Sequence, residues 1–112
     1  MRMRKKKNLV PRMERCGDRL IQNPYDRIGH WRDLMPHAKE IHLELGCGKG
    51  RFTAGTAAEN PDVLLIAVEI VPDAMVVAME KAQAMGLKNV FYIDMDVANI
   101  EDIFAGEEID RL

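Results

Sequence analysis

Two acids and three glycines form the part of the sequence best suited to binding chemistry. The glycines follow an apolar stretch at every second position, as Gly46, Gly48 and Gly50. Glycine adopts positive φ angles and lets a ligand approach the backbone closely, so this spacing predicts a loop that contacts a bound molecule. Glu44 precedes the loop and Glu69 ends the next apolar run. Their two negative charges favour a cationic ligand.

The spacing of the glycines excludes two common phosphate-binding loops. A dinucleotide fingerprint, G-x-G-x-x-G, needs a glycine where the chain has Arg51. A Walker A loop needs Ser or Thr after its lysine, and Lys49 is followed by glycine. In a strand-helix-strand unit, an acid at the end of the second strand lies beside the first loop and can accept both hydroxyls of a ribose. Glu44 and Glu69 therefore predict a cationic nucleoside ligand without a pyrophosphate.

Alternating strands and helices must position these residues. Apolar runs indicate strands near 41–45, 63–68 and 89–95. Helices are predicted from Gly50 to Glu59 and from Pro72, in the first turn, to Gly86, at the end. The second strand is almost continuously apolar, which is typical of a parallel sheet covered by helices on both faces. The sequence thus predicts an α/β fold whose ligand lies at the carboxyl ends of the strands.

Several polar and aromatic side chains have structural explanations that compete with binding. Asp94 and Asp96 end the third strand, and one or both can cap the turn at 99–104; we assign the cap to Asp94. A helix is predicted from Asp26 to Met35, stopped by the proline that follows. Trp31 lies on its apolar face, and we expect it to pack in the core rather than to stack on a base.

Charge divides the chain into two parts. Residues 1–39 contain eleven Lys or Arg against four acids, whereas residues 40–112 contain five against fourteen. From Met1 to Arg15 there are seven basic residues and one acid, without apolar periodicity. We expect this basic arm to be mobile without a partner and able to lie along a phosphate backbone; the alternative is a solvated tail.

Length and composition narrow the class of protein. At 112 residues and 47% hydrophobic content, the chain is one globular domain at most, and short for a complete α/β sheet. No run approaches the ~18 apolar residues of a membrane span, so we expect a cytoplasmic protein without membrane contact. Cys16 and Cys47 have no metal-ligand spacing, which favours free thiols and no metal site.

Several longer motifs resemble one enzyme family. They are the opening Met1–Lys5, the run Leu43–Phe52, Asn60–Asp62 before Ile66–Ile70, and Glu80–Ala82 with Gly86–Val90. Together they are similar to the bacterial tRNA (guanine-N7-)-methyltransferases, which use S-adenosylmethionine to methylate a variable-loop guanine. The resemblance implies a Rossmann-like class I methyltransferase fold, here incomplete, with three to four parallel strands, flanking helices and a basic N-terminal extension.

The resemblance also implies roles for individual residues. The cofactor-binding residues would be Glu44, Gly46, Gly48, Gly50, Glu69 and, near the adenine amino group, Asp96. The cations expected to contact tRNA are Arg2, Arg4, Lys5, Lys6 and Lys7. No residue is assigned a catalytic or metal-binding role. Residues 1–39 would form the basic arm and a lead-in helix, and residues 40–112 the cofactor-binding half.

The end of the chain limits the expected activity. The family's proline-tryptophan substrate motif follows a fourth strand, and this sequence stops at the beginning of that strand, within 107–112. We therefore expect the chain alone to be inactive and to self-associate through an exposed sheet edge. The alternatives are a class I methyltransferase of another substrate and an inactive module that binds S-adenosylmethionine or RNA.

Overall fold

Three parallel strands form the centre of the protein. The computed structural model describes residues 9–112, apart from the side chain of Arg51. β1 spans Glu40–Leu45, β2 spans Val63–Glu69 and β3 spans Val90–Asp94, in the spatial order β1-β2-β3. Both strand pairs are parallel. The predicted sheet is confirmed, and its parallel register brings the three carboxyl ends to one edge.

Within residues 9–112, three α-helices accompany the sheet: α1 (Leu9–Glu14), α2 (Arg51–Glu59) and α3 (Pro72–Ala84). Proline begins α3, where its missing N–H costs no hydrogen bond. At its end, the Gly86 N–H donates to Gln83 O and the Leu87 N–H to Ala82 O, both at 3.0 Å. This pair of bonds is the glycine-terminated helix end that the sequence predicted.

Both faces of the sheet are covered by apolar side chains. All seven residues of β2 are buried, as expected for a central parallel strand. One face packs under α3, and its cluster includes Leu65, Ala67, Met75, Met79 and Tyr92. The opposite face has a second cluster, which includes Leu64, Ile66, Val68, Trp31 and Ile103. The sheet is therefore the middle layer of three.

The predicted lead-in helix over 26–35 is wrong. This segment forms two short 3-10 turns, Pro24–Arg27 and Trp31–Leu34. Ile28 has an extended ψ of 121° and Gly29 a φ of +78°, so the α-helical path is interrupted between the turns. The apolar spacing instead reflects burial of the aromatic side chain.

Trp31 belongs to the core, as predicted. It is fully buried, and its Nε1–H donates to Ile103 O at 2.7 Å. Its ring centroid lies 5.1 Å from that of Phe104. The hydrogen bond satisfies the polar edge of the indole, which is what a buried tryptophan requires.

Part of the predicted basic arm forms α1, which packs against α3. Arg12 Nε donates to Glu80 Oε2 at 2.9 Å, and Gln83 Nε2 donates to Arg15 O at 2.7 Å. Residues 9–15 thus include a helix with partners on α3, where the sequence predicted a mobile segment. The polar composition of residues 9–15 did not indicate their partners, which lie 68 positions further along the chain.

Neighbouring segments pair with both outer strands. Leu20 forms a parallel bridge with Tyr92 of β3, supported by the Ile21 N–H, which donates to Tyr92 O at 2.9 Å. On the other side, Arg111 bridges His42 of β1 in parallel. The expected beginning of a fourth strand is thus confirmed as one parallel bridge beside β1.

Candidate functional site

The glycine loop connects β1 to α2 at the carboxyl edge of the sheet. The Gly46 and Cys47 N–H groups both donate to Val68 O, at 2.8 and 3.1 Å. Gly46, Gly48 and Gly50 have positive φ angles of 70°, 56° and 79°. The loop is therefore held against the end of β2 in a conformation that favours glycine.

The three glycines differ in their surroundings. A Cβ atom on Gly50 would lie 2.5 Å from the Ala78 Cβ, so this glycine lets the loop pack against α3. A Cβ on Gly46 or Gly48 would meet no described atom within 4 Å. These two positions border open space, which is compatible with a ligand approaching the backbone there. Their predicted role in cofactor binding, like that of Gly50, stays a prediction.

Glu69 lies beside this loop, where the sequence placed it. The residue is buried, and its carboxylate accepts two backbone hydrogen bonds. The Gly48 N–H donates to Oε1 at 2.7 Å and the Val71 N–H donates to Oε2 at 3.1 Å. Two donors from different segments orient this carboxylate toward the loop. Its role as a ribose ligand stays a prediction.

Glu44 is the second acid of the site. It is half-buried near the end of β1, where it pairs in register with Ala67 of β2. Its Oε1 accepts a hydrogen bond from the hydroxyl of Thr53, a fully buried residue in the first turn of α2. The sequence analysis missed Thr53, because a threonine inside a predicted helix gives no local sign of such a partner.

Both acids lie near the thiol of Cys47. Burial raises the pKa of Cys47 to about 12, and the negative charges of Glu69 and then Glu44 add to the increase. Cys47 lies within the glycine loop. The two carboxylates therefore flank this loop, as the proposed cationic site requires.

The end of β3 adds a third carboxylate. Asp94 pairs in register with Glu69, and its pKa is raised by partial burial and then by the Glu69 charge. Asp96, rather than Asp94, caps the 3-10 helix Val97–Ile103, because its Oδ1 accepts from the Ala98 N–H at 2.9 Å. The preferred assignment of the cap to Asp94 is thus wrong. Asp96 as an adenine ligand stays a prediction.

Two exposed apolar residues at this edge were also missed. Ile70, directly after Glu69, is 56% exposed, and Val97, directly after Asp96, is 42% exposed. Flat apolar groups such as nucleobases pack on side chains of this kind. The signal that was available is an apolar residue immediately after an acid at the end of a strand, for Ile70, or shortly beyond it, for Val97.

Other predicted features are placed as follows. Cys16 and Cys47 are both buried free thiols. In residues 9–112 no three His, Cys, Asp or Glu side chains gather as a metal site requires. The same residues contain no helix with the length and apolar composition to cross a bilayer. The cations proposed for RNA lie outside the described residues, and they are Arg2, Arg4, Lys5, Lys6 and Lys7.

Comparisons with known proteins show which family this chain resembles. A family model described as "Putative methyltransferase" matches residues 38–112. Curated tRNA (guanine-N(7)-)-methyltransferases from Streptococcus pneumoniae strains Hungary19A-6 and R6 are each 34% identical over 112 residues. These matches cover 100% of this chain and 53% of each relative, so the chain spans about half the length of its curated relatives.

A solved structure supports the fold alone. The antibiotic-resistance methyltransferase Kmr aligns with a TM-score of 0.51 at 20% identity. The alignment covers 62% of this chain and 37% of that one. The three-layer arrangement around the parallel sheet is therefore shared with a methyltransferase.

The raised pKa of Cys47 predicts a slow alkylation rate. With a pKa of about 12, only about one thiol in 10⁴ is ionised at pH 8, against roughly a quarter of free cysteines with a pKa of ~8.5. We expect the folded Cys16→Ser variant to react with iodoacetamide at least about 100-fold more slowly than its urea-unfolded form. Mass spectrometry measures both rates, and a native rate within tenfold of the unfolded rate contradicts the buried-thiol geometry.

The same pKa shift links the stability of the fold to pH. Because the pKa of Cys47 is higher in the folded than in the unfolded state, the contribution of its protonated thiol to stability is complete below about pH 8 and declines as the pH rises toward 12.

Proposed function

The chain belongs to the methyltransferase family whose model matches residues 38–112, and on that premise we propose that it forms the cofactor-binding half of a tRNA guanine-N7 methyltransferase. The named activity of the relatives that match the whole chain at 34% identity supports this substrate. We propose that residues 40–112 bind S-adenosylmethionine and that residues 1–39 carry the RNA-binding arm. A cytoplasmic location accords with a tRNA substrate.

The observation that carries the proposal is the hydrogen bond from the Gly48 N–H that holds Glu69 against the glycine loop. A ribose placed above this loop can donate both hydroxyls to that carboxylate. Gly46 and Gly48 leave space for the ligand, and Ile70 and Val97 offer apolar surface for an adenine ring. The residues present therefore fit the proposed cofactor.

The remaining residues fit the other parts of the cofactor. Glu44, near the end of β1, is suited to the cationic methionine end. The first turn of α2 directs backbone N–H groups toward the loop, which favours the methionine carboxylate. We retain Asp96 as the proposed partner of the adenine amino group.

Methyl transfer to guanine N7 requires little proton chemistry from the protein. When bound, S-adenosylmethionine supplies a methyl group on a positively charged sulfur. Guanine N7 has an available lone pair and no proton to remove, so no residue of this chain acts as a general base. The chain's contribution is to hold and orient the cofactor so that the two reactants align. A carboxylate beside the sulfonium stabilises the bound ground state, so Glu44 lowers the dissociation constant more than it raises the rate.

Replacement of Glu69 tests the cofactor site. Glu69→Gln keeps a carbonyl acceptor for the Gly48 N–H but removes the charge, so we expect the dissociation constant for S-adenosylmethionine to rise at least about tenfold. Isothermal titration calorimetry measures it, and Glu101→Gln, on an exposed acid of the 3-10 helix, is the matched control. Equal affinity in Glu69→Gln and the parent chain excludes this ribose site. If the parent chain itself gives no heat of binding, the remaining alternative is a module that does not bind the cofactor.

The tRNA substrate is tested through the arm. The test uses the protein as its gene encodes it. Five cations of the arm are replaced with Gln, and they are Arg2, Arg4, Lys5, Lys6 and Lys7. When fewer phosphates are neutralised, fewer counterions are released. tRNA should therefore bind more weakly, and the slope of log K against log salt should flatten by about one unit for each phosphate that no longer pairs with a cation. Lys88→Gln, at an exposed cation far from the arm in sequence, is the control.

Product analysis completes this test. Mass spectrometry of tRNA treated with the encoded protein should detect 7-methylguanine. Absence of that base, together with an unchanged salt slope in the arm variant, favours a class I methyltransferase of another substrate.

We further propose that the 112-residue chain self-associates through the part of the β1 outer edge that lies beyond its bridge to Arg111. Beside this edge, Leu45 is 39%, Phe52 77% and Leu112 85% exposed. Open strand edges and contiguous apolar surface promote association. Sedimentation velocity should show a dimer whose fraction rises with concentration, and Phe52→Lys should reduce it. Tyr25→Lys, at another exposed aromatic residue, should not. A concentration-independent monomer excludes this interface.

A further inference from the structure

A buried threonine supports one of the two acids of the site. Thr53 is completely buried in the first turn of α2, and its hydroxyl donates to Glu44 Oε1. The two residues lie on different elements, nine positions apart, with the whole glycine loop between them. The bond therefore joins β1 and α2, the two elements that the glycine loop connects.

The energetics of this contact favour a positioning role. A hydroxyl that donates to a carboxylate makes a charge-assisted hydrogen bond, which is stronger than a neutral one. A glutamate side chain has several rotamers, and ordering it costs conformational entropy when a ligand binds. Thr53 can offset that cost beforehand by holding the carboxylate in one place. A carboxylate has about four lone-pair sites, so a donor on Oε1 leaves capacity for a ligand.

We propose that Thr53 is a positioning residue, which acts through Glu44 to fix that carboxylate for the cationic methionine end of the cofactor. This inference rests on the proposed function, because it assigns Glu44 to the same cofactor. It adds a residue outside the glycine loop whose contribution depends entirely on the presence of the Glu44 charge.

A double-mutant cycle separates this role from simple helix packing. Thr53→Val keeps the volume of the side chain and removes the hydroxyl, and it is combined with Glu44→Gln. Calorimetry gives the dissociation constant for S-adenosylmethionine in each of the four proteins. We expect Thr53→Val alone to weaken binding about tenfold, and less than about twofold when Glu44 is already Gln. Thr53→Ser retains a hydroxyl and should restore affinity to within about threefold of the parent.

A matched control lies one turn further along α2. Thr56 is half-buried on the same helix, so Thr56→Val tests whether any valine there weakens binding. Thermal melts identify variants that do not fold, and Thr53→Ala replaces Thr53→Val in the cycle if the valine variant is one of them.

The outcomes distinguish this inference from the proposal on which it rests. If the parent chain binds S-adenosylmethionine and Thr53→Val has equal effects in both backgrounds, the positioning role is overturned. The proposal that the chain binds this cofactor then still stands. Unchanged binding in Thr53→Val, or no recovery in Thr53→Ser, overturns the positioning role as well. Absence of binding by the parent chain overturns both.

Discussion

The hydrogen bond from the Gly48 N–H to the Glu69 carboxylate links the loop to the sheet, and the geometry of the site depends on it. A buried carboxylate is unfavourable unless donors surround it, and here two backbone groups supply them. Because β2 is buried along its whole length, the position of Glu69 is determined by the core. The position of the loop is therefore set by the fully buried central strand of the sheet.

A second constraint acts on the loop from the helix side. Gly50 is the N-cap residue of α2, and it lies so close to Ala78 of α3 that a side chain there would overlap it. The hydroxyl of Tyr92, on β3, also contacts Ala78 by donating to its carbonyl oxygen at 3.3 Å. Ala78 is thus the residue at which the glycine loop, α3 and β3 are in contact. Movement of α3 would change the loop and the sheet together.

Periodicity and spacing were sufficient for much of this architecture. The continuous apolar run of β2, the proline that starts α3 and the glycine after it are local signals, and each led to the correct element. The same reasoning failed for the segment 26–35, where apolar spacing arose from burial of Trp31 without an α-helix. Local signals describe what a segment can form, and tertiary contacts decided the outcome here.

Contacts between distant residues were beyond prediction. Asn89 directs its Nδ2 toward three carbonyl oxygens, those of Ala57, Asn60 and Val63, at 2.9 to 3.0 Å. No sequence feature near Asn89 indicates that its side chain joins α2 to β2. The docking of α1 and the bond from Thr53 to Glu44 have the same character, since each pairs residues whose proximity exists only after folding.

The carboxyl edge of the sheet also carries an electrostatic cost that bears on its ligand. Glu44, Glu69 and Asp94 lie near the ends of three adjacent strands, and the pKa values of both Asp94 and Cys47 are raised first by burial and then by the charge of Glu69. Like charges gathered at a partly buried edge disfavour the folded state. A cation bound among them removes part of this repulsion, and a ligand that binds only the folded state stabilises it by mass action. Under the proposed function, the bound sulfonium would therefore stabilise the fold, and a neutral nucleoside would do so less.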